Sequence, residues 1–262
     1  MIRYLRLYCY FLRFSFSKAL EFRVDFYFRF LMDVIYYVVN LAFFKIIFLH
    51  SKYLAGWSEE QVTIFVGAFI VVDAVYMTVF ANNSWSISAL VNKGDLDYYL
   101  IRPISTFFFV SLRDFAANSF LNLLMAGGIL VWAMTRYHEP LGVTQILLFL
   151  LLVLNGAFLY FLVAFLFIVP VFWTQSSRGL QPLFWTAARF MERPHRIFTR
   201  YVRVILLTVL PFSLMASMPA TVLFESNPWP LTLGTLAVTA AFFGCVLLVW
   251  RQGLRNYSSA SS

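Results

Sequence analysis

Six long apolar segments run through this 262-residue chain, and they constrain its fold more than any other feature. A helix of about 20 apolar residues crosses a hydrocarbon core of roughly 30 Å, and each segment has the length for this with few charges inside it. Hydrophobic residues make up 61% of the chain and charged residues only 12%, too little polar surface to coat a soluble globule. The sequence therefore predicts an all-α polytopic membrane protein with six spans, over residues 31–49, 62–82, 107–134, 143–173, 197–224 and 231–250.

The first 30 residues are aromatic and basic rather than uniformly apolar. Lys18, Glu21, Asp25 and Arg29 follow spacings of three and four, which place them on one helical face. The pattern predicts an amphipathic interfacial helix over residues 1–30, ahead of a transmembrane domain that fills the rest of the chain. This helix is either a plain anchor or a connection that transmits movement to the first span. Repeated basic residues interrupt it, so we expect no cleavable signal peptide.

The formal net charge of +8 is concentrated on one side of the predicted membrane. With six spans and an internal N-terminus, seventeen Lys and Arg residues fall on the inner side, and only Lys45, Lys52 and Arg136 fall on the outer side. This asymmetry follows the positive-inside rule and predicts that both termini are cytoplasmic. It accounts for the basic balance through membrane lipid, and we expect no nucleic acid partner.

A polar island over residues 92–103 separates the second and third predicted spans. A glycine that frees the backbone is followed there by two acids, an aromatic pair and an Arg-Pro step that stops a helix. The pattern predicts one short helix at the cytoplasmic surface, with an ordinary solvated loop as the alternative. The candidate residues are Gly94, Asp95, Leu96, Asp97, Tyr98, Tyr99, Leu100, Arg102 and Pro103.

Pro211 and Pro219 interrupt the fifth predicted span toward its outer end. Proline breaks the helical hydrogen-bond ladder, and unsatisfied backbone at this depth must be buried in protein or face water. We therefore predict a short re-entrant element near the external surface, with a single kinked helix as the alternative. Ahead of this span lies a basic cluster that we place on the cytoplasmic side and assign mainly to lipid headgroups: Arg189, Glu192, Arg193, His195, Arg196, Arg200 and Arg203.

Asp73 lies near the middle of the second predicted span, where a lone carboxylate needs a partner, a proton or water. Arg113, followed by Asp114, enters the third span from the cytoplasmic side with a side chain long enough to reach toward Asp73, and Asp33 is another possible partner. These residues either line a transport pathway or form a structural ion pair that holds the first three spans together, and we favour the ion pair.

Sequence motifs for catalysis are missing from the chain. It has no glycine-rich phosphate loop, its three histidines are isolated from acids at metal-ligand spacing, and no Ser, His and Asp arrangement stands out. We therefore expect a protein that is not an enzyme and binds no metal or cofactor itself. Any energy from nucleotide must then come from another subunit.

The island from Gly94 to Pro103, together with residues 193–198 ahead of the fifth span and the tail over 250–260, resembles the permease subunits of type-2 ABC transporters, in an uncharacterised, exporter-like branch. The resemblance implies that the island is a coupling helix that docks into a cleft on a cytoplasmic ATPase dimer. It further implies that the ATPase binds ATP and Mg²⁺, and that a second permease subunit, identical or related, completes the complex. The location implied is the bacterial cytoplasmic membrane.

The composition of the island suits this role, because its apolar side chains can fill a cleft while its charged side chains fix the orientation. Two other functions remain as alternatives. One is an ion-coupled secondary transporter that uses Asp73 and Arg113, although the sequence shows no internal repeat of the kind such transporters often carry. The other is a non-catalytic membrane scaffold.

Overall fold

The structure, a computed structural model, describes residues 2–19, 23–176 and 180–257. Within these ranges it contains helices and one isolated bridge, between Leu54 and Trp57, and no strand. A π turn over Met77–Ala81 and 3₁₀ turns over Ala117–Ser119, Arg189–Glu192 and His195–Ile197 connect some of the helices. The α-helices are α1 Ile2–Ala19, α2 Arg23–His50, α3 Glu59–Tyr76, α4 Asn82–Lys93, α5 Asp97–Leu100, α6 Thr106–Leu112, α7 Phe120–Thr135, α8 Val143–Ile168, α9 Val171–Thr174, α10 Leu180–Ala188, α11 Arg200–Thr208, α12 Phe212–Phe224 and α13 Trp229–Asn256.

Four continuous helical stretches are long and apolar enough to cross a membrane, and they correspond to the first, second, fourth and sixth predicted spans. The shorter apolar helix α7 lies within the third. The multi-pass helical architecture is therefore confirmed. The four stretches are Phe30–His50, Glu59–Lys93, Val143–Thr174 and Trp229–Asn256.

The bundle has two ends, which we name from the parts of the chain they carry. The terminal side carries α1, α5 and the end of α13. The far side carries the connections over residues 51–58, 136–142 and 225–228. Contacts hold the far-side connections together: Gln145 donates to the carbonyl of Glu225 at 3.0 Å, and the rings of Tyr137 and Phe224 lie 5.4 Å apart.

The first spanning helix begins before the boundary expected at residue 30. Among the described residues, α1 runs to Ala19 and α2 starts at Arg23. The first spanning helix is consequently longer than residues 31–49. The predicted polar face of Lys18, Glu21, Asp25 and Arg29 falls on side chains outside the described part of the structure.

The core forms where α8 meets α12 and α3, and Gly156 of α8 permits the closest approach. A Cβ atom at residue 156 would overlap the backbone carbonyl of Met215 on α12. Next to this crossing, Phe149 and Leu159 of α8 and Phe65 of α3 are fully buried. The central helices are thus apolar around most of their circumference, as expected for helices enclosed by other helices.

The third predicted span, residues 107–134, is wrong as a continuous helix. Helix α6 ends at Leu112, the backbone then leaves helical geometry, and α7 begins only at Phe120 after a 3₁₀ turn. The apolar composition on both sides masks the break in the sequence. Polar groups from neighbouring helices satisfy the freed backbone.

The fifth predicted span, residues 197–224, is also wrong, because its two ends lie on the same side of the bundle. Helices α11 and α12 meet at an angle of 97°. Arg196, just before this segment, forms an ion pair with Glu225, just after it, with a nitrogen–oxygen distance of 3.5 Å. Trp57 of the far side touches both ends, since its ring lies beneath the Arg196 guanidinium and 6.0 Å from the ring of Phe224.

The chain instead passes between the two sides just before this segment, over residues 180–197. Trp185 of α10 packs on Trp85 of α4, in the terminal half of the bundle. Farther along, Glu192 accepts a hydrogen bond from Tyr36 at 3.0 Å, and the guanidinium of Arg193 lies 4.2 Å from the centre of the Phe43 ring. The basic cluster therefore lies along α2, with its later residues nearer to the far side. It does not lie with the terminal-side loops.

Substitution of Gly156 tests the helix crossing. We expect Gly156→Ala to destabilise the fold by about 1–3 kcal/mol, because a methyl group forces α8 and α12 apart. The matched control is Gly127→Ala in α7, where an added Cβ meets nothing within 4 Å and helix propensity favours alanine by up to ~1 kcal/mol. Thermal unfolding of the purified proteins in detergent gives the comparison, and equal melting temperatures for both variants contradict the crossing.

Cysteine labelling tests the corrected path of the chain. In a background with Cys9 and Cys245 replaced by Ser, a membrane-impermeant maleimide should label Thr199→Cys from the same compartment as Ser51→Cys. It should label Asn92→Cys from the opposite compartment. All three positions are exposed. Labelling of residues 199 and 92 from one compartment would restore the sequence-based topology.

Candidate functional site: the terminal-side surface around α5

The polar island forms a tight turn followed by the one-turn helix α5. Gly94 ends α4 with a positive φ of 76°, a conformation that glycine adopts without the steric cost of a side chain. The amide of Leu96 then donates to the carbonyl of Leu90 at 3.2 Å, which folds the turn back onto α4. Helix α5 ends at Leu100, and its C-cap Ile101 directly precedes the Arg-Pro step.

Side chains of the island divide between the core and the surface. Leu96 is 1% exposed, and Tyr99 is buried with its ring 5.1 Å from that of Phe109 on α6. These two residues anchor the turn and are not available to a partner in this conformation, contrary to the role that we expected for them. The exposed apolar side chains are those of Tyr98, Leu100 and Ile101, at 67%, 40% and 81%.

Ile101 is the residue that sequence reasoning missed. It is the most exposed apolar side chain of the island, and it follows directly on the last turn of α5. The helical spacing contained this signal. Tyr98 and Ile101 are three residues apart and share one face, opposite the face on which Leu96 and Tyr99 turn toward α4 and the core. Asp95, Arg102 and Pro103 are exposed beside them.

Two arginines surround the island without forming carboxylate pairs among the described residues. Arg102 donates to the carbonyl of Tyr98 at 3.2 Å and lies 5.3 Å from the centre of the Phe109 ring. The guanidinium of Arg113 lies 5.4 Å from the centre of the Tyr99 ring. Together with Asp95 and other neighbours, these side chains border a cavity of about 760 Å³ between α1 and α5.

Helix α1 is tied to the same region by aromatic contacts and backbone hydrogen bonds. The Tyr4 hydroxyl accepts from the amide of Ser105 at 3.3 Å, and the Ser15 hydroxyl accepts from the amide of Phe115 at 3.2 Å. The ring of Phe11 meets that of Phe109 at 5.1 Å. The N-terminal helix therefore contacts the start of the broken third span along most of its length.

Asn83 of α4 holds the break in the third span. Its side-chain oxygen accepts from the amide of Asp114 at 2.8 Å, and its side-chain nitrogen donates to the carbonyl of Asp114 at 2.8 Å and to that of Val79 at 3.1 Å. Asn83 itself is buried. One amide group thus satisfies both backbone groups of a residue that lies outside any helix.

The π turn over Met77–Ala81 provides a second contact with the break. A π turn interrupts the regular i→i−4 pattern, and the carbonyl of Thr78 accepts here from the amide of Ala116 at 2.8 Å. The hydroxyl of Thr78 donates to the carbonyl of Ala74, in the last turn of α3, at 2.7 Å. The irregular turns of the second and third spans therefore face and satisfy each other.

The predicted ion pair between Asp73 and Arg113 does not form. Arg113 points to Tyr99 on the terminal side, and the carboxylate of Asp73 makes no ion pair or hydrogen bond with any described residue. The carboxylates of Asp33 and Glu192 lie close enough to interact electrostatically with that of Asp73. Asp33 accepts a hydrogen bond from Asn122, and Asp114 is held through its backbone. An ion pair between Asp73 and Arg113 therefore does not hold these spans together.

The two prolines of the re-entrant prediction behave differently from each other. Pro211 lies at the sharp bend and precedes α12, whereas Pro219 lies inside α12, which continues past it. His195 was expected on the cytoplasmic side, but it is buried beside α12, where its Nδ1 lies 2.6 Å from the hydroxyl of Ser217. The bent pair α11–α12 thus enters and leaves the bundle on the far side.

Comparison with known families identifies the chain. Residues 34–261 match the family described as ABC-2 family transporter protein. The chain belongs to this family. No curated protein and no solved structure matches it significantly. The ABC-2 family match makes the chain the permease subunit of a transporter complex, and this family works with an ABC ATPase. The resemblance seen in the sequence is confirmed at the level of the family.

Substitution of Asn83 tests how the ABC-2 permease holds its broken span. Asn83→Ala leaves the backbone groups of Asp114 unpaired, at a cost of about 1–3 kcal/mol for each buried group. Asn83→Asp keeps the acceptor and loses the donor, so we expect an intermediate loss of thermal stability. The neighbour Asn82→Ala is the matched control, because no hydrogen bond of its side chain is described. A melting temperature of Asn83→Ala equal to that of the control contradicts the role of Asn83.

Proposed function

We propose that this protein is the permease of an ATP-driven exporter and that its ATPase docks on the exposed face of α5. The observation that carries the proposal is the pair Tyr98 and Ile101, two apolar side chains held in solvent by a turn whose other apolar residues are anchored in the core. Exposed apolar anchors rimmed by charge are typical of interface hot spots. Asp95, Asp97 and Arg102 supply that charged rim.

ATP and Mg²⁺ bind to the ATPase in this proposal, and the permease contributes the mechanical connection. A displacement of α5 is passed to α6 through the contact of Tyr99 with Phe109, and to α1 through Phe11. The break between α6 and α7 lets α6 move relative to the rest of the third span. Asn83 and Thr78 then pass the movement to the second span.

We place the terminal side in the cytoplasm of a bacterium, with the chain crossing the inner membrane six times. The fifth crossing is the stretch over residues 180–197, which replaces the span expected at 197–224. When Arg189, Arg193, Arg196, Arg200 and Arg203 are removed from the seventeen basic residues first assigned to the inner side, twelve remain there by sequence position. The asymmetry still favours two cytoplasmic termini.

A second permease subunit, identical or related, covers the exposed face of α2. In the most apolar part of α2, only 11% of the residues are buried within the chain, against 67% in the corresponding part of the α3–α4 stretch. Asp33, Tyr36 and Asn40 are at least partly exposed on this helix, and polar groups at such depth are costly when they face lipid. A facing subunit with a water-filled pathway between the two removes that cost and fits alternating access.

An ion-coupled secondary transporter is the second candidate, and the grouping of Asp33, Asp73 and Glu192 favours it. Carboxylates that face one another at mid-depth are typical of proton and cation pathways. Uptake or release of cargo in proteoliposomes distinguishes the two mechanisms. Transport that follows an imposed proton gradient without ATP supports the secondary transporter, whereas dependence on ATP and the ATPase subunit supports the exporter.

Substitutions on α5 test the docking face. We expect Tyr98→Ala with Ile101→Asp to lower ATPase binding at least about tenfold, because hot-spot side chains contribute about 2 kcal/mol or more each. Tyr53→Ala is the matched control, since Tyr53 is exposed to 66% on the far side. Copurification of the tagged permease with its ATPase measures binding.

Thermal stability of the α5 variant should equal that of the control, because neither exposed side chain supports the core. Leu96→Asp, in contrast, should unfold the turn and lower the melting temperature. Unchanged ATPase binding in a folded Tyr98→Ala, Ile101→Asp variant rules out this face as the docking site.

A further inference from the structure

The fifteen residues from Arg189 to Arg203 contain five arginines, and we call this stretch the basic segment. It covers the end of the crossing and the start of the re-entrant pair α11–α12. The arginines are Arg189, Arg193, Arg196, Arg200 and Arg203. Sequence reasoning placed them on the cytoplasmic side and assigned them mainly to the lipid headgroups of that surface. The structure removes that explanation, because it places the segment against the far half of α2.

The depth of the segment follows from its contacts with α2. Glu192 meets Tyr36 and Arg193 meets Phe43, and these two α2 residues lie about 21 and 10 Å from the His50 end at a rise of 1.5 Å per residue. Arg196 reaches the far-side connection that holds Trp57. The basic segment thus extends from the middle of the membrane to its far surface.

Carboxylates do not balance these arginines among the described residues. Arg196 alone forms an ion pair, with Glu225. Arg203 donates to the carbonyls of Arg196 and Phe198, and its buried Nε has no partner. Arg193 lies on the Phe43 ring.

The remaining two arginines, Arg189 and Arg200, are exposed and have no ion pair or hydrogen bond within the described ranges. Glu192 accepts a hydrogen bond from Tyr36 and interacts electrostatically with Asp73 of α3, but it forms no ion pair with an arginine within the described ranges. Cations at this depth require an anion or water. The segment therefore presents guanidinium groups whose charge and hydrogen-bond donors a bound anion can satisfy.

Exposed apolar side chains lie beside the arginines on α11. Tyr201 and Val204 of α11 are exposed, and so is Val209 directly after it. A ligand that contacts this surface and the arginines carries an anionic group and an apolar portion. A planar guanidinium group can donate two parallel hydrogen bonds to one phosphate. Phosphate therefore fits arginine better than an anionic group with diffuse charge does.

We propose that the arginines of the basic segment bind the phosphate-bearing headgroup of an anionic amphipathic molecule in the far half of the membrane. The molecule is either resident anionic lipid or the exported cargo. The assignment to cargo rests on the proposed function, whereas headgroup binding does not. Arg193 and Arg200 contact the phosphate, and the exposed side of α11 contacts the apolar portion.

Native mass spectrometry of the full-length permease tests headgroup binding, with phosphatidylglycerol and phosphatidylcholine titrated in parallel. We expect Arg193→Gln with Arg200→Gln to lower the preference for phosphatidylglycerol about tenfold or more, the usual effect of losing hydrogen bonds to a charged group. The control is Arg251→Gln with Arg255→Gln, which removes two exposed arginines from the terminal end of α13. An equal preference in variant and control overturns the proposal.

The single variant Arg200→Gln keeps the test valid if the double variant does not fold, because this side chain supports no described contact. Its preference for phosphatidylglycerol should fall by a smaller factor, and no fall overturns the proposal. Copurification with the ATPase should be normal in every variant. Failure of the wild-type protein to bind its ATPase would count against the proposed function while leaving the lipid titration interpretable.

Hydrolysis of ATP by the permease–ATPase complex then distinguishes the two sources of the headgroup. Stimulation by phosphatidylglycerol that is lost in Arg193→Gln with Arg200→Gln and kept in the control identifies cargo of this class. Selective binding with unchanged hydrolysis identifies resident lipid.

Discussion

The hydrogen bonds of Asn83 with Asp114 are the interaction on which the terminal half of this structure depends. Backbone groups outside a helix must be satisfied wherever water is scarce, and a broken span creates such groups at a depth where few partners exist. Asn83 pairs both groups of Asp114, and Thr78 pairs the amide of Ala116. Because the partner atoms come from α4 and from a π turn beside it, the irregularities of two neighbouring spans stabilise each other.

That arrangement gives the permease a connection between its surface and its membrane helices. Helix α1 joins the break through Ser15, and α5 joins it through the contact of Tyr99 with α6. The far side is organised around Trp57 instead, which meets His195, Arg196 and Phe224. Between these two ends, the close crossing at Gly156 fixes α12 against α8.

The island and the basic segment show where sequence reasoning ended. Spacing alone located the short helix and its boundaries near Gly94 and Ile101, because glycine and the Arg-Pro step have strong local effects. It could not tell that Leu96 points inward and Ile101 outward, since that depends on how the turn folds back onto α4. Hydropathy likewise could not separate a hairpin from a span over residues 197–224, because both are apolar; the pair of Arg196 with Glu225 decides it.

The sequence by itself determined that this is a helical, multi-pass membrane protein of the ABC-2 family, since apolar length and a few local motifs suffice for both conclusions. Only the tertiary structure decided which side chains of the island are exposed, which span is broken, and that Asp73 interacts with carboxylates rather than with Arg113. Those facts depend on contacts between residues distant in the chain, such as Asn83 with Asp114 and Arg196 with Glu225. Apolar helices of similar length can be packed in several ways, and the few polar contacts between them select one.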